Sequence, residues 1–243
     1  MRELATRVGA LQLDCCVYNA SGPRTGSIEA LEMIGKSSSG AILSKSSTLV
    51  EQTGNEMPRF IKDIDLGPGS SGSINSEGLP NKGCDYYISD EALESLSKFK
   101  KPYIVSISGL KLEDNGEMIK RVLAQRKKHG GTGIDGVELN LACPNIPGKP
   151  TQAYDFEQMD KSLSYMTDIL RASGDRITFG IKLAPYFDKS HCATAADIIL
   201  QVSNVRVGRE GREGCAIDND GRLFVCCTII LTSPQHTNIQ FFL

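Results

Sequence analysis

A thiol becomes a proton acceptor only when it ionises, and Cys143 stands where ionisation can be arranged. In Asn140-Leu141-Ala142-Cys143-Pro144-Asn145 it lies between two asparagine amides, just past an apolar run. Lys45, in Ser44-Lys45-Ser46-Ser47-Thr48, and Lys182, in Lys182-Leu183-Ala184-Pro185, also sit at or near the ends of apolar runs. Two ammonium groups at a common mouth suit an anionic, electron-rich ligand, whether charge developing on a ring or a carboxylate bound as a point charge. Each residue has a plainer alternative. Cys143 can be a buried structural thiol, and either lysine can reach past the rim to solvent.

Two further stretches suit ligand recognition. Ser73-Ile74-Asn75-Ser76-Glu77-Gly78-Leu79-Pro80-Asn81 packs amides, a glycine and a turn together. Asn75 and Asn81 can read a planar polar ligand by paired donors and acceptors, or serve only as turn residues. Asn19-Ala20-Ser21-Gly22 follows the apolar Cys15-Cys16-Val17-Tyr18, a strand running into a loop small enough for backbone to approach a flat ring; an empty turn reads the same way. The 3 histidines have no carboxylate or serine at a recognisable spacing, so no metal site or Ser-His-Asp triad can be argued. No complete Gly-x-Gly-x-x-Gly fingerprint supports a nicotinamide site.

The elements that must position these residues alternate along the chain. Strand-like runs at 41–44, 103–108, 136–141 and 178–183 each end in a polar or glycine-containing loop, and amphipathic helical patterns fall at 27–36, 90–100, 114–129, 155–172 and 193–202. That alternation predicts parallel βα units, with the helices as an outer ring. In the third run Val137, Leu139 and Leu141 share one face and Glu138 and Asn140 the other, the period of two a strand imposes. Cys143 then lies just past a strand end, where barrel enzymes keep their chemistry. Residues 61–81, rich in Gly, Ser, Pro and Asn, read as a long loop or hairpin, either functional or a plain surface insertion.

Composition sets bounds. With 243 residues, 40% of them hydrophobic, the chain can bury one α/β barrel's worth of core. A net charge of −2 gives no long-range attraction to nucleic acid or an anionic membrane, so an anionic ligand must be met by local lysines. The 8 cysteines include the adjacent pairs Cys15-Cys16 and Cys226-Cys227 and no Cys-x-x-Cys, which suits neither a disulfide framework nor zinc and points to a reducing compartment. No apolar leader follows Met1, and the longest apolar stretch, 223–231, is shorter than the about 20 residues that span a bilayer.

Taken in order, Asn19-Ala20-Ser21-Gly22, Ser44-Lys45-Ser46-Ser47-Thr48, Gly54-Asn55 with Pro58-Arg59, residues 73–81, residues 140–150 and Lys182-Leu183-Ala184-Pro185-Tyr186-Phe187-Asp188 resemble the soluble, class 1A dihydroorotate dehydrogenases, over residues 8–204. The resemblance implies a (β/α)8 TIM-barrel flavoenzyme carrying FMN, a cytoplasmic homodimer that oxidises dihydroorotate to orotate in pyrimidine (UMP) synthesis and passes electrons to fumarate, with no nucleic-acid or membrane partner. It implies Cys143 as the base that removes the C5 proton while hydride leaves C6. It places Lys45, Asn75, Gly78, Leu79, Asn140 and Asn145 against the substrate, and Ala20, Ser21, Lys45, Ser46, Asn140 and Lys182 against the flavin. A related FMN module of a pyrimidine reductase shares the Asn-x-x-Cys-Pro core, but Ile146-Pro147-Gly148-Lys149-Pro150 and residues 73–81 argue against it.

The chain departs from that pattern in places. Glu77 stands where the family usually carries methionine; a carboxylate facing an anionic ligand should weaken binding, whereas one turned away is tolerable. Ala142 and Ala184 replace a common serine and proline. Residues 206–243 are expected to match nothing in the family, and the glycine-rich phosphate loops of the last strands are expected to be missing. We therefore expect roughly five to six of eight βα units, a partial barrel over 1–204 followed by a divergent segment, 205–243, in which 223–231 can form one more strand. An impaired remnant acting as a binding or interaction protein is the alternative to a working enzyme.

Overall fold

A computed structural model of the chain describes residues 4–143, 151–204, 229–230 and 240–241. The chain opens with an antiparallel hairpin, β1 (Thr6–Val8) against β2 (Leu11–Leu13), whose leucines pack on Ala41, Leu43 and Ile104. Helix α1 (Ile28–Lys36) starts where Ser27 Oγ accepts the Ala30 N–H at 3.3 Å, satisfying one of the amides left open at a helix start. It leads into the short strand β3 (Ile42–Leu43).

Residues 61–81 do form a hairpin. Strand β4 (Phe60–Asp65) runs antiparallel to β5 (Ser71–Asn75), with an irregularity between Ile61 and Ile64. It is largely exposed, and Phe60, Ile61, Leu66 and Ile74 present apolar side chains to solvent.

After α2 (Cys84–Tyr87) and α3 (Asp90–Ser97), three βα steps follow: β6 (Tyr103–Ile107), α4 (Leu112–Lys128), β7 (Gly136–Asn140), α5 (Phe156–Ser173), β8 (Thr178–Lys182) and α6 (Lys189–Asn204). Strands β3, β6, β7 and β8 pair in chain order as one parallel sheet. All five residues of β6 and of β7 are buried, as expected of strands covered on both faces. Helix caps again hold the ends: Ser89 and Asp155 accept from the amides of Ala92 and Gln158, and Gly174 closes α5 in the left-handed conformation. The core joins Val105, Ile107, Val137 and Leu139 of the sheet to Met118, Ile119, Val122, Met159 and Leu163 of the helices. Each such side chain contributes about 1.5–3 kcal/mol of burial. Residues 229–230 (β9) and 240–241 (β10) pair antiparallel; the rest of 205–243 lies outside the described residues, including most of the strand expected at 223–231. No helix among the described residues is long and apolar enough to cross a membrane.

One expected strand takes a different form. Cys15-Cys16-Val17-Tyr18 makes no strand ladder. The Asn19 side chain supplies the pairing instead: Nδ2 donates to Leu43 O at 2.7 Å and Oδ1 accepts the Leu43 N–H at 2.9 Å, while Gly40 N donates to Val17 O at 2.9 Å. Backbone pairs in this close approach only because residue 40 is glycine; a Cβ there would lie 1.8 Å from Cys15 O. With this segment counted beside the four paired strands, five staves are in place among the described residues.

Candidate active site

The site lies at the carboxyl ends of the parallel strands, and strand register builds it. Ser106 on β6 lies level with Glu138 on β7, which lies level with Gly180 on β8; one layer further along, Asn140 pairs with Lys182. Polar side chains two apart on one strand face therefore meet polar side chains of the neighbours.

Strand β3 adds a bulge. Leu43 pairs with Ile104 and Ser47 with Ile107, so four steps on one side answer three on the other. The extra residue loosens the ladder at Ser44-Lys45-Ser46, where Lys45 N donates to Thr25 O at 3.2 Å and Ser46 N to Ser21 O at 3.4 Å. Bulges re-aim side chains, and this one carries both Lys45 and Ser46.

A continuous polar network links all five staves. Lys182 Nζ donates to Ser21 Oγ at 2.7 Å; Ser46 Oγ lies 2.9 Å from both Ser21 Oγ and Ser106 Oγ; and Ser106 Oγ lies 3.1 Å from Glu138 Oε1. Asn140 Nδ2 donates to Ser46 Oγ at 2.9 Å, and its Oδ1 accepts the Ala142 N–H at 3.0 Å, which fixes the start of the loop that holds Cys143. Ser21, Ser46, Ser106, Glu138 and Asn140 are all buried.

Lys45 is only 7% exposed and forms no ion pair among the described residues. Burial is the main cause that pushes its ammonium below the ordinary lysine range, and the charge of Lys182 adds to it; Cys143 and Glu77 pull the other way. Cys143 is a free, half-buried thiol. Lys45, Lys182 and Cys143 thus come from three different staves to within electrostatic reach of one another.

Glu77 is held by Arg59, whose Nε lies 3.1 Å from Glu77 Oε2. Arg59 Nη1 in turn donates to Thr53 O and Asn55 O at 2.8 and 3.0 Å. The carboxylate is therefore neutralised on the hairpin side while still felt by Lys45. Behind it, Gly78 takes a positive φ of 70° and a Cβ would come 2.5 Å from the Asn55 side chain, so that turn requires glycine. Leu79 also has a positive φ, 57°, and is buried, a strained conformation that the packing around it must hold.

The family model for dihydroorotate dehydrogenase matches residues 3–218, so the match runs past residue 204, where the motifs alone predict its end. The chain belongs to the dihydroorotate dehydrogenase family. It is 41% identical over 188 residues to dihydroorotate dehydrogenase (fumarate) of Trypanosoma cruzi, covering 77% of this chain and 55% of that protein. It is 40% identical over 185 residues to dihydroorotate dehydrogenase A (fumarate) of Lactococcus lactis subsp. cremoris, covering 75% and 54%. A probable dihydroorotate dehydrogenase A (fumarate) of Streptococcus pneumoniae is 39% identical over 203 residues, covering 82% and 58%. The chain spans about half the length of the curated relatives it matches. Proteins of this family are flavoproteins on the TIM-barrel fold, and the parallel sheet described above is part of such a barrel.

Against that family pattern, the structure brings together Ser21, Lys45, Ser46, Asn140, Cys143 and Lys182, with Ala20 beside Ser21 at partial exposure. Gly78 and Leu79 are buried in the turn next to Glu77. Asn75 ends β5 at an exposed position, its Oδ1 3.4 Å from the Glu77 amide. Asn145 lies outside the described residues. Asn81, weighed as a ligand reader, is a structural residue: its Oδ1 accepts from the amides of Thr48 and Gly83 and its Nδ2 donates to Leu79 O. Ser106, Glu138 and Arg59 were not assigned to the site from sequence. The available signal was a polar residue on the Asn140 face of an otherwise apolar strand, Glu138 in Gly136–Asn140, and Ser106 in the run beside it.

Proposed function

We propose that this chain carries out FMN-dependent oxidation of dihydroorotate to orotate in pyrimidine synthesis, in the cytoplasm, with fumarate as the electron acceptor, and that it works as a homodimer. The observation that carries the reading is the convergence on Cys143 of two lysines from separate staves, Lys45 being buried and free of ion pairs among the described residues. A buried cation without an internal anion is costly unless an anionic ligand meets it. Orotate and dihydroorotate carry that charge.

The residues fit FMN in its ring-binding part. Ala20 and Ser21 offer small side chains and nearby backbone, Lys182 and Lys45 offer positive charge, and Ser46 and Asn140 offer polar atoms already held in place. FMN, when bound, supplies the acceptor for the hydride that leaves C6 of dihydroorotate. Cys143, as thiolate, takes the C5 proton and becomes the thiol. Lys45, Asn140 and Asn145 orient the substrate ring and carboxylate, with Asn75, Gly78 and Leu79 closing from the hairpin side. Asn140 also holds the Ala142 amide, so the loop presenting Cys143 is positioned before substrate arrives.

Purified chain incubated with FMN should retain yellow flavin on gel filtration and form orotate from dihydroorotate when fumarate is present. A chain that binds no flavin and leaves dihydroorotate unchanged would overturn the reading.

A further inference from the structure

Three backbone segments next to Cys143 and Lys182 in the chain are tied to one another in a closed triangle. Leu141, at the end of β7, donates its N–H to Lys182 O at 3.1 Å, and its carbonyl accepts the Ala153 N–H at 3.1 Å. Ala153 belongs to a short 3₁₀ turn, Gln152–Tyr154, through which the chain, having passed Cys143, enters α5. Two tyrosines close the third side, between that turn and the loop after β8. Tyr154 Oη donates to Pro185 O at 2.8 Å, and Tyr186 Oη donates to Ala153 O at 2.6 Å. Each side chain thus grips the residue next to the other tyrosine.

Ring packing supports the exchange. Tyr154 meets Tyr186 edge-on, with centroids 5.9 Å apart at 77°. Phe156, the first residue of α5, lies 6.0 Å from the Tyr186 ring and 5.5 Å from that of His191 on α6, so the pair is rooted in both helices that follow the two loops. Burial is the main cause that pushes the Tyr186 phenol up to about 12, with Tyr154 and Cys192 adding to it, so it remains a hydrogen-bond donor at neutral pH.

We propose that Tyr154 and Tyr186 are positioning residues that form a clasp and set Cys143 against Lys182. Without their side of the triangle, the turn and the β8 loop would each be free to pivot about Leu141. With it, the three segments are one rigid unit. Cys143 follows Leu141 by two residues and Lys182 carries the accepting carbonyl, so both functional side chains project from the backbone thus fixed. The two tyrosines are unequal. Ala153 is fully buried, so losing the Tyr186 hydroxyl strands its carbonyl, whereas Tyr154 is 49% exposed and water can take its place at Pro185. That the spacing of Cys143 and Lys182 speeds flavin reduction rests on the function proposed above; that the tyrosines set the spacing does not.

Amide hydrogen exchange in the ligand-free chain tests the clasp. Tyr186→Phe keeps the ring and removes only the hydroxyl. Exchange at the Leu141 and Ala142 amides should quicken by roughly tenfold, the scale of one buried hydrogen bond lost, while amides of α4 keep their wild-type rates. Tyr154→Phe should give the same pattern with a smaller change, and it carries the measurement if Tyr186→Phe does not fold. Unchanged exchange at Leu141 and Ala142, or equal quickening in α4, would overturn the proposal. With FMN loaded, Tyr186→Phe should slow flavin reduction at saturating dihydroorotate by about the same factor and leave the half-saturating concentration nearly unchanged, as a misplaced base requires. A raised half-saturating concentration at an unchanged limiting rate would overturn the role assigned toward Cys143. A wild-type chain that takes up no flavin would count against the proposed function alone, since the exchange measurement decides the clasp without it.

Discussion

Asn140 and Ser46, 94 positions apart in the sequence, are joined by a 2.9 Å hydrogen bond from the Asn140 amide to the Ser46 hydroxyl. The same side chain accepts the Ala142 N–H, so one residue ties the bulge that carries Lys45 to the loop that carries Cys143. Asn140→Ala leaves buried polar groups unpaired and should cost about 1–3 kcal/mol. The expected reading is a lower urea midpoint at unchanged slope, together with weakened flavin retention.

Lys45 places stability and function in opposition. Its ammonium is held below the ordinary lysine range chiefly by burial, so the folded state disfavours the charged form. Lys45→Met should stabilise the ligand-free chain at neutral pH by on the order of 1–4 kcal/mol, while abolishing orotate binding. The sign with pH follows from the depressed folded value: between it and 10.5 the unfolded chain binds more protons, so wild-type stability rises with pH through that window. The advantage of Lys45→Met should therefore shrink as pH rises toward 10.5 and be gone above it. Thermal melts across alkaline pH read this directly, and an advantage that stays constant with pH would contradict it.

Glu77 departs from the family's usual methionine, yet its partner Arg59 already balances the carboxylate. Glu77→Met removes one of the groups that raise the Lys45 ammonium, so Lys45 should lose its proton at still lower pH. Orotate affinity at neutral pH should change by less than about tenfold, which is the 1.4 kcal/mol scale of one screened charge. Titration of the flavin-loaded chain with orotate gives the number. A larger gain would mean that Glu77 faces the ligand rather than Arg59.

Gly40 supports the loop of Ala20 and Ser21 from beneath. A methyl group at residue 40 would meet the Cys15 carbonyl at 1.8 Å, so backbone must move, at about 1–3 kcal/mol for overpacking of this kind. Gly40→Ala should lower the melting temperature and also weaken flavin binding, because Asn19 and Ser21 follow the same segment. Gly130→Ala, where a Cβ meets nothing within 4 Å, is the control for a surface glycine of positive φ.

The apolar runs made β6, β7 and β8 legible, since buried parallel strands are continuous in hydrophobicity and their ends mark the site. The helices fell within a few residues of their expected limits for the same reason, periodicity backed by caps such as Asp155. What could not be read depends on partners distant in sequence. The bulge at Ser44-Lys45-Ser46 exists only as a mismatch in register between β3 and β6, and Asn19 replaces a strand with one side chain. The restraint of Glu77 by Arg59 is likewise a contact across a hairpin. Ser106 and Glu138 were visible as polar residues in apolar strands, but only register makes them neighbours of Ser46.

The central claim, that Cys143 and the two lysines serve one ring-binding site, is tested most directly by mixing the FMN-loaded chain with dihydroorotate without oxygen and following flavin absorbance. The yellow colour should bleach, and Cys143→Ser should slow the bleaching by roughly 10²–10⁴-fold, as expected for loss of a positioned base. No bleaching in a flavin-loaded wild type, or an equal rate in Cys143→Ser, would contradict the account.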